Sequence, residues 1–396
     1  MIEIHIDSST ASQRLDKFLR RYLPEAGSGF LYKQLRKKNI TLNHTRASGS
    51  ELLRSGDAIQ IFFSEETLHK FMGTMDTGQD YHCATAQNTA GSISCEKGKG
   101  RTVSAAGGPS TGPGRCLCAS DILFENTQVL VLNKRAGILS QKADPDDYSL
   151  VEMLQAYLWK KGELSEERLR LYRPSVVNRL DRNTSGIILA AKTLAAAQML
   201  SGCLRNRSVH KYYLALTEGR VQKPAHISAW LSKDPKTNRV IVRDSCPGQQ
   251  SVTFSRIETE YIPEECFAIR DSSGQIAEFT LLRVNLITGK THQIRSHLAF
   301  IGHPIIGDVK YGRRTRNEEF RRTCGLRRQF LHASEVVFPE MGGVLSDLSG
   351  RTFHAPLPGD LQKTLEALRH DSAGQPQNTQ TQSSPVQDSP VMSRQK

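Results

Sequence analysis

Residues 176–192, Val-Val-Asn-Arg-Leu-Asp-Arg-Asn-Thr-Ser-Gly-Ile-Ile-Leu-Ala-Ala-Lys, set one carboxylate, Asp181, between Arg179 and Arg182. Flanking guanidinium groups stabilise a charged carboxylate and draw a polyanion toward it. Asn183-Thr184-Ser185-Gly186 supplies short hydrogen-bonding side chains and a glycine able to take positive φ, and 187–191 reads as a buried strand. An acid at the mouth of such a strand is held rigidly, the setting of an active-site group. Two metal readings fail on spacing. His292, His297 and His303 with Asp308 lack the i, i+4 pair of a metal-binding helix, and Cys83, Cys95, Cys116 and Cys118 fit no zinc pattern.

The elements that must position this acid lie in 119–368, which reads as one domain. Strands are expected at 122–125, 129–132, 187–191, 212–216 and 279–284, and helices near 149–161 and 194–205. A regular helix does not separate each pair of strands, so the domain is α+β, with a mixed, largely antiparallel sheet flanked by helices. Another helix is expected from about Thr291 to Gly302, with Ile294, Leu298 and Ile301 as its buried stripe and Arg295 beside the stripe.

Residues 1–64 form a smaller unit. Ile2, Ile4 and Ile6 alternate as a half-buried strand; Leu15, Phe18, Leu19, Tyr22 and Leu23 make a helical stripe ended by Pro24, and Ser28 is a candidate cap for a second helix. Strands return at 40–43 and 58–62, with a Ser55-Gly56-Asp57 turn before the second. Eight lysines and arginines fall between positions 14 and 38. Any one of them reads as a solvated helix face; together Arg14, Lys17, Lys33, Arg36 and Lys37 suit phosphate contact. Arg20 and Arg21 are expected mostly off the apolar stripe. Residues 65–118, rich in Gly, Ser, Thr and Ala, read as a flexible linker, and 369–396 as a disordered tail.

The formal net charge is +13 over 396 residues, with 38% hydrophobic residues, enough for a sizeable core and suited to a nucleic-acid partner. A basic surface also keeps a protein soluble, so composition alone does not name the partner. No apolar stretch is long enough to cross a membrane, and Met1-Ile-Glu-Ile-His-Ile-Asp lacks the features of a secretory signal. The expectation is a cytoplasmic monomer with reduced thiols.

Two resemblances sharpen this. Gln-Arg-Leu-Asp-Lys-Phe-Leu at 13–19, Lys-Gln-Leu-Arg-Lys-Lys at 33–38 and Leu-Arg-Ser-Gly-Asp at 53–57 resemble the S4 RNA-binding domain, whose two helices present basic side chains to folded RNA. Five segments, in order, resemble the motifs of the RluA-type pseudouridine synthases: 122–125 with 131–139, the 178–187 loop, Lys211-Tyr-Tyr-Leu-Ala-Leu, Thr288-Gly-Lys-Thr-His-Gln-Ile-Arg-Ser-His-Leu and Arg328-Gln-Phe-Leu-His-Ala. The chain departs from that pattern at Asn178, Arg135, Asn183 and Lys290, where His, Pro, Asp and Arg are usual.

The resemblance implies an enzyme that turns uridine into pseudouridine in RNA, with 23S (large-subunit) ribosomal RNA as substrate and transfer RNA as the alternative. Asp181 would be nucleophile or base, Tyr213 would stack on the uracil and is a candidate to take the C5 proton, and Arg295 would hold Asp181 in a bidentate pair. Tyr212 would be the core tyrosine of that strand. Arg179 would fill the gap left by a flipped nucleotide, and Arg328 and Leu331 would touch backbone and pocket, with plain core packing open for Leu331. Isomerisation retains the leaving base and moves no electrons, so no cofactor is expected. Two other readings stand beside it: an RNA-binding assembly factor that has lost catalysis, motivated by Asn178 and Asn183, and a glycosidase, which needs a second carboxylate from elsewhere in the fold.

Overall fold

The computed structural model describes residues 1–7, 10–73, 116–234, 239–246, 254–270 and 274–373. Residues 74–115, which hold most of the expected linker, and 374–396 of the expected tail lie outside these. Among the described residues no helix is long and apolar enough to cross a membrane.

Four strands, β1 (Ile2–His5), β2 (Ile40–Leu42), β3 (Thr45–Arg46) and β4 (Ala58–Ile61), make an antiparallel sheet in the order β1-β4-β2-β3. Ile4 and Ile6 turn inward and meet Leu15, Phe18 and Leu19 of α1 (Leu15–Tyr22) and Leu31 and Leu35 of α2 (Ser28–Arg36). Ser28 is not the cap of α2 but its first residue; Gly27 holds the cap position, and no side chain closes that end. The start of the expected linker is also ordered: Glu65–Met72 is α3, capped by Ser64, whose Oγ accepts from Thr67 N at 3.3 Å. Leu68, Phe71 and Met72 recur at helical spacing and pack on the same core, with the Phe30 and Phe71 rings 4.5 Å apart.

Lys17, Arg20, Lys33, Arg36 and Lys37 are exposed, whereas Arg14 is engaged: its Nε and Nη2 donate to Asp16 at 3.0 and 3.1 Å. Arg21 corrects the expectation of a solvated side chain. It is half-buried, donates to Gln13 Oε1 and lies near Tyr172. The smaller unit touches the larger one here, since Arg170 Nη1 donates to Met72 O at 3.0 Å and Gln198 Nε2 to Ser12 O at 2.7 Å.

The second sheet has eleven strands among the described residues. They are β5 (Ile122–Glu125), β6 (Val129–Lys134), β7 (Ser175–Val176), β8 (Ser185–Ala191), β9 (His210–Glu218), β10 (Ala225–Lys233), β11 (Val240–Arg243), β12 (Ser255–Arg270), β13 (Ile276–Leu286), β14 (Leu331–Val337) and β15 (Thr352–His354). The order is β11-β10-β12-β13-β9-β14-β8-β6-β5, with β15 on β14 and β7 on β8. Every pairing is antiparallel except β8 with β14, where Ser185 opposes His332 and Gly186 opposes Ala333. The sheet is therefore mixed and largely antiparallel.

Strand β8 is buried along its whole length because both faces are covered. Ile188 and Ala190 join one apolar layer with Met153, Leu154 and Leu158 of α4 (Leu150–Lys160), while Ile187, Leu189 and Ala191 join another with Ala196 and Leu200 of α6 (Leu194–Arg205). A continuous apolar run is what such a sandwiched strand needs. Ser149 and Thr193 cap these two helices, accepting from Val151 N and Ala196 N at 3.3 Å. The remaining α-helices among the described residues are α5 (Glu166–Leu171), α7 (Gln293–Phe300), α8 (Arg314–Thr323) and α9 (Gly359–Ala373). Helix α9 runs past residue 369, the expected start of the tail, and Arg369 on it clasps Glu265 at 2.7 Å.

Gly186, at φ +111°, passes so close to β14 that a Cβ there would lie 2.2 Å from Ala333 O. Gly186→Ala is expected to lower stability by about 3–5 kcal/mol, read as a shift in the urea midpoint. A second expectation concerns acid. His332 bridges Ser185 Oγ at 3.0 Å and Ala355 O at 3.2 Å, and burial pulls both His332 and His297 down to about 4. Unfolded histidines bind protons from about pH 6.5 downward and the native ones do not, so stability should fall as pH drops from about 6.5 to 4. Urea unfolding across that range checks it, and a flat profile would contradict it.

Candidate active site

The loop between β7 and β8 carries Asp181, and its backbone is clamped from several sides. Ser140 Oγ donates to Leu180 O at 2.7 Å and accepts from Leu180 N at 2.9 Å. Lys134, at the end of β6, is only 1% exposed, and its Nζ donates to the carbonyls of Arg135, Ile138 and Arg182 at 3.0, 2.9 and 3.0 Å. An ammonium has three donors and no acceptor, so three converging carbonyls satisfy it fully. Burial, reinforced by Arg328 and opposed by Asp181, pulls this lysine down to about 7. Asn178 has a local job too: its Oδ1 accepts from Leu189 N at 2.7 Å, tying the loop's entry to its exit strand. At Asn183 it is the backbone carbonyl that is used, accepting from Arg328 Nη1 at 3.1 Å.

Arg328 is thereby corrected from an RNA contact to a brace. It is buried, and its Nε and Nη2 fork onto Asp360 at 2.6 and 2.9 Å. Leu331, buried at the start of β14, belongs both to the core and to the wall of the cleft around Asp181.

Arg295 on α7 donates from Nη1 to Asp181 Oδ2 at 2.8 Å. The bidentate pair expected with Asp181 is made instead with Asp308, from Nε at 2.7 Å and Nη2 at 2.9 Å. One guanidinium plane thus holds two carboxylates, and both raise the arginine's pKa against the opposing effect of burial. Burial works to raise Asp308, but Arg295 and the N–H groups of Lys310 and Tyr311 outweigh it and hold that carboxyl below its ordinary range. Gly307 makes the approach possible: at φ +81° it packs where a Cβ would lie 2.0 Å from Arg328 O. The neighbouring Arg182 points elsewhere, 3.9 Å from Asp147.

Tyr213 on β9 is buried and lines the cleft, and burial together with the Asp181 charge pushes its phenol well above the ordinary range. The core role expected for Tyr212 is wrong. Tyr212 is half-exposed on the opposite face, under the Arg283 guanidinium at 3.8 Å. Arg179 is exposed at the cleft, and Lys290 also lines it.

The three histidines weighed as metal ligands are used singly. His292, in a left-handed conformation just before α7, shares a hydrogen bond with Tyr311 Oη at 2.9 Å and faces Asp181 Oδ2 at 3.9 Å. His297 meets Thr259 Oγ1 at 3.0 Å and His303 meets Glu218 O at 3.0 Å. Asp308 is fully buried behind Arg295, so it is no second glycosidase acid: it cannot reach a bond that Asp181 reaches. The sequence reading missed Asp308, Lys134, Ser140 and Tyr311 as parts of the site. Gly307 and Gly312 bracketing Asp308, and a lysine at the end of a largely apolar strand, were the signals present.

The site is a single acid held by an arginine beside a buried tyrosine, on an α+β scaffold with a mixed sheet, and similarity to known proteins gives its class: RNA base-isomerising enzymes. The family model for "RNA pseudouridylate synthase" matches residues 128–300. The chain is 31% identical over 371 residues to "Ribosomal large subunit pseudouridine synthase C" of Salmonella typhi, covering 92% of this chain and 96% of the relative. The protein of the same name from Escherichia coli K12 is 30% identical, with 93% and 96% covered. The solved "Human RNA Pseudouridylate Synthase Domain Containing 4" aligns with a TM-score of 0.46 and 20% identity over 63% of this chain and 92% of that one. The chain belongs to the RluA-type RNA pseudouridine synthases.

Breaking the shared guanidinium should be costly. Asp308→Ala leaves a buried arginine half-paired and is expected to destabilise by about 3–5 kcal/mol in chemical denaturation. Asp308→Asn, which keeps shape and loses charge, should fold better than the alanine variant and still turn over more slowly than the parent, because Arg295 is then free to swing off the line that presents Asp181. Equal turnover by Asp308→Asn and the parent would separate Asp308 from catalysis.

Proposed function

We propose that this synthase acts on large-subunit ribosomal RNA and that Asp181 is the group that works at ribose C1′. The observation that carries the reading is the Arg295–Asp181 contact at 2.8 Å in a cleft that also holds Tyr213, a lone carboxylate fixed where a ring can lie beside it. The substrate is supported by the relatives that match nearly the whole chain, which are ribosomal large subunit pseudouridine synthases.

Pseudouridine formation breaks the bond between uracil N1 and C1′, turns the base and rejoins it through C5, whose proton then leaves. Asp181 either attacks C1′ or removes a ribose proton to give a glycal; both routes need a carboxylate that does not drift, and the Arg295 contact holds it in place. Tyr213 offers a flat face for the uracil. It could take the C5 proton only after losing its own, which burial and Asp181 disfavour, so the carboxylate is the better base for that step as well. A uracil stacked in RNA hides its reacting atoms, so the nucleotide must be extruded. Arg179, exposed and two residues from Asp181, is the side chain to fill the gap, and the exposed lysines and arginines of α1 and α2 would hold the surrounding phosphates. The setting proposed is the cytoplasm, with the chain acting as a monomer.

The test is direct. Purified protein should convert uridine to pseudouridine in ribosomal RNA from a strain lacking the gene, without added metal or nucleotide, and Asp181→Asn should abolish turnover while leaving RNA binding within about twofold, because the substitution is isosteric. Mapping pseudouridines in total RNA with and without the gene identifies the sites. Normal turnover by the Asn variant would refute the role of Asp181, and transfer-RNA sites alone would refute the substrate.

A further inference from the structure

The loop that carries Asp308 has two sides. Inward, its carboxylate holds Arg295; outward, Gly307, Val309 and Gly312 form one wall of a separate cavity of ≈ 340 Å³. The opposite wall is one face of α8, where Arg314, Asn317, Glu318 and Arg321 follow the i, i+3, i+4, i+7 spacing that stacks side chains together. Arg327 closes the cavity, and the buried Leu326 lies at its floor.

The charges in this cavity do not cancel. Glu318 is the single carboxylate among its lining residues and is held by Arg314 Nε at 2.9 Å. The other acid near that face, Glu319, is spent on Arg316. Arg321 and Arg327 are exposed and have no hydrogen-bonded carboxylate among the described residues. The apolar content is equally unusual for a solvated helix face: Leu326 below, and Val309 at the lip, 83% exposed. The volume falls in the range of small-ligand sites, and arginine forks over an apolar floor suit a group that joins a phosphate to a ring.

The cavity is also fixed to the catalytic side. Asn317 accepts from Gly307 N at 2.8 Å and donates to Asp308 O at 2.9 Å, so the helix that lines the cavity grips the backbone on either side of the Asp308 Cα. Arg327 faces the cavity while its neighbour Arg328 turns inward to brace the Asp181 loop.

We propose that this cavity is a second nucleotide subsite, which takes a phosphate and base of the substrate RNA other than the target uridine, with Arg321 and Arg327 on the phosphate and Val309 and Leu326 against the base. The proposal rests on the reading of this chain as an RNA-modifying enzyme. The rigid Gly307–Gly312 loop then acts as a spacer, setting where the strand lies relative to Asp181.

The experiment compares full-length parent, Arg321→Ala/Arg327→Ala, Arg327→Lys and Arg322→Ala on unmodified ribosomal RNA, by filter binding across a KCl series and by steady-state turnover. Arg322 is exposed on the same helix but outside the cavity, so it controls for diffuse charge. The double variant should raise KM about tenfold with kcat within about threefold, and the slope of log Kd against log [KCl] should shrink by about one to two. Arg327→Lys, which keeps the charge and loses the fork, should fall between, and Arg322→Ala should stay within about twofold. An equal loss from Arg322→Ala, or an unchanged KM in the double variant, would overturn the subsite. Calorimetry with uridine 5′-monophosphate addresses the other source of the same chemistry: tight binding lost in the double variant would assign the cavity to a free nucleotide and overturn the RNA assignment. If the parent forms no pseudouridine, the functional reading fails, while the binding comparison still tests the cavity.

Discussion

A single buried guanidinium, that of Arg295, binds two carboxylates, one 13 positions away in the chain and the other 114, and most of the site follows from satisfying it. Burying one arginine is tolerable only with full charge compensation and good hydrogen-bond geometry. Asp308 gives the planar fork its two parallel bonds, and the remaining nitrogen goes to Asp181. Because Asp308 is inaccessible and Asp181 is not, the two acids differ in setting: one anchors the cation, and the other remains at the cleft surface.

That division constrains the backbone around it. Asp308 can reach Arg295 only if Gly307 lies against Arg328, and Asp181 can face it only if the loop carrying it is immobilised, which Lys134, Ser140 and Arg328 accomplish through carbonyl oxygens and one N–H. The hydrogen bonds run almost wholly to main chain, so they set position without prescribing the loop's side chains. This is why Asn178 and Asn183 can stand where other residues are usual: the first is used for one acceptor, the second for its carbonyl.

The parts of this design that lie close in sequence could be read from it. Asp181, Gly186 and the apolar run of β8 announce a loop and a doubly covered strand, and the stripe on α7 puts Arg295 at its edge. What could not be read depends on which side chain wins a long-range partner. Arg328 and Arg21 resemble surface cations by type and are turned inward by Asp360 and Gln13. Tyr212 and Tyr213 alternate as any strand residues do, and only the placement of Asp181 and Arg283 decides which face is the core. Strand β12 was legible and went unread: Ile257, Thr259 and Tyr261 alternate with Arg256, Glu258 and Glu260, a plain two-residue period. Asp308 is legible only in part: Gly307 and Gly312 mark a tight turn, but nothing local says that its carboxylate will be buried.

The parallel contact between β8 and β14 joins segments nearly 150 positions apart, with Ser185 opposite His332. Translation delivers the loop bearing the acid long before the strand that locks it, and Arg295, Asp308 and Arg328 also come late. A nascent chain therefore carries Asp181 without the arginine, the anchor or the brace that fix it in the folded protein. The Asp181 loop can therefore take its observed position only after nearly the whole of this domain has been made, so the site is a late product of synthesis, complete once β14 is available to pair with β8.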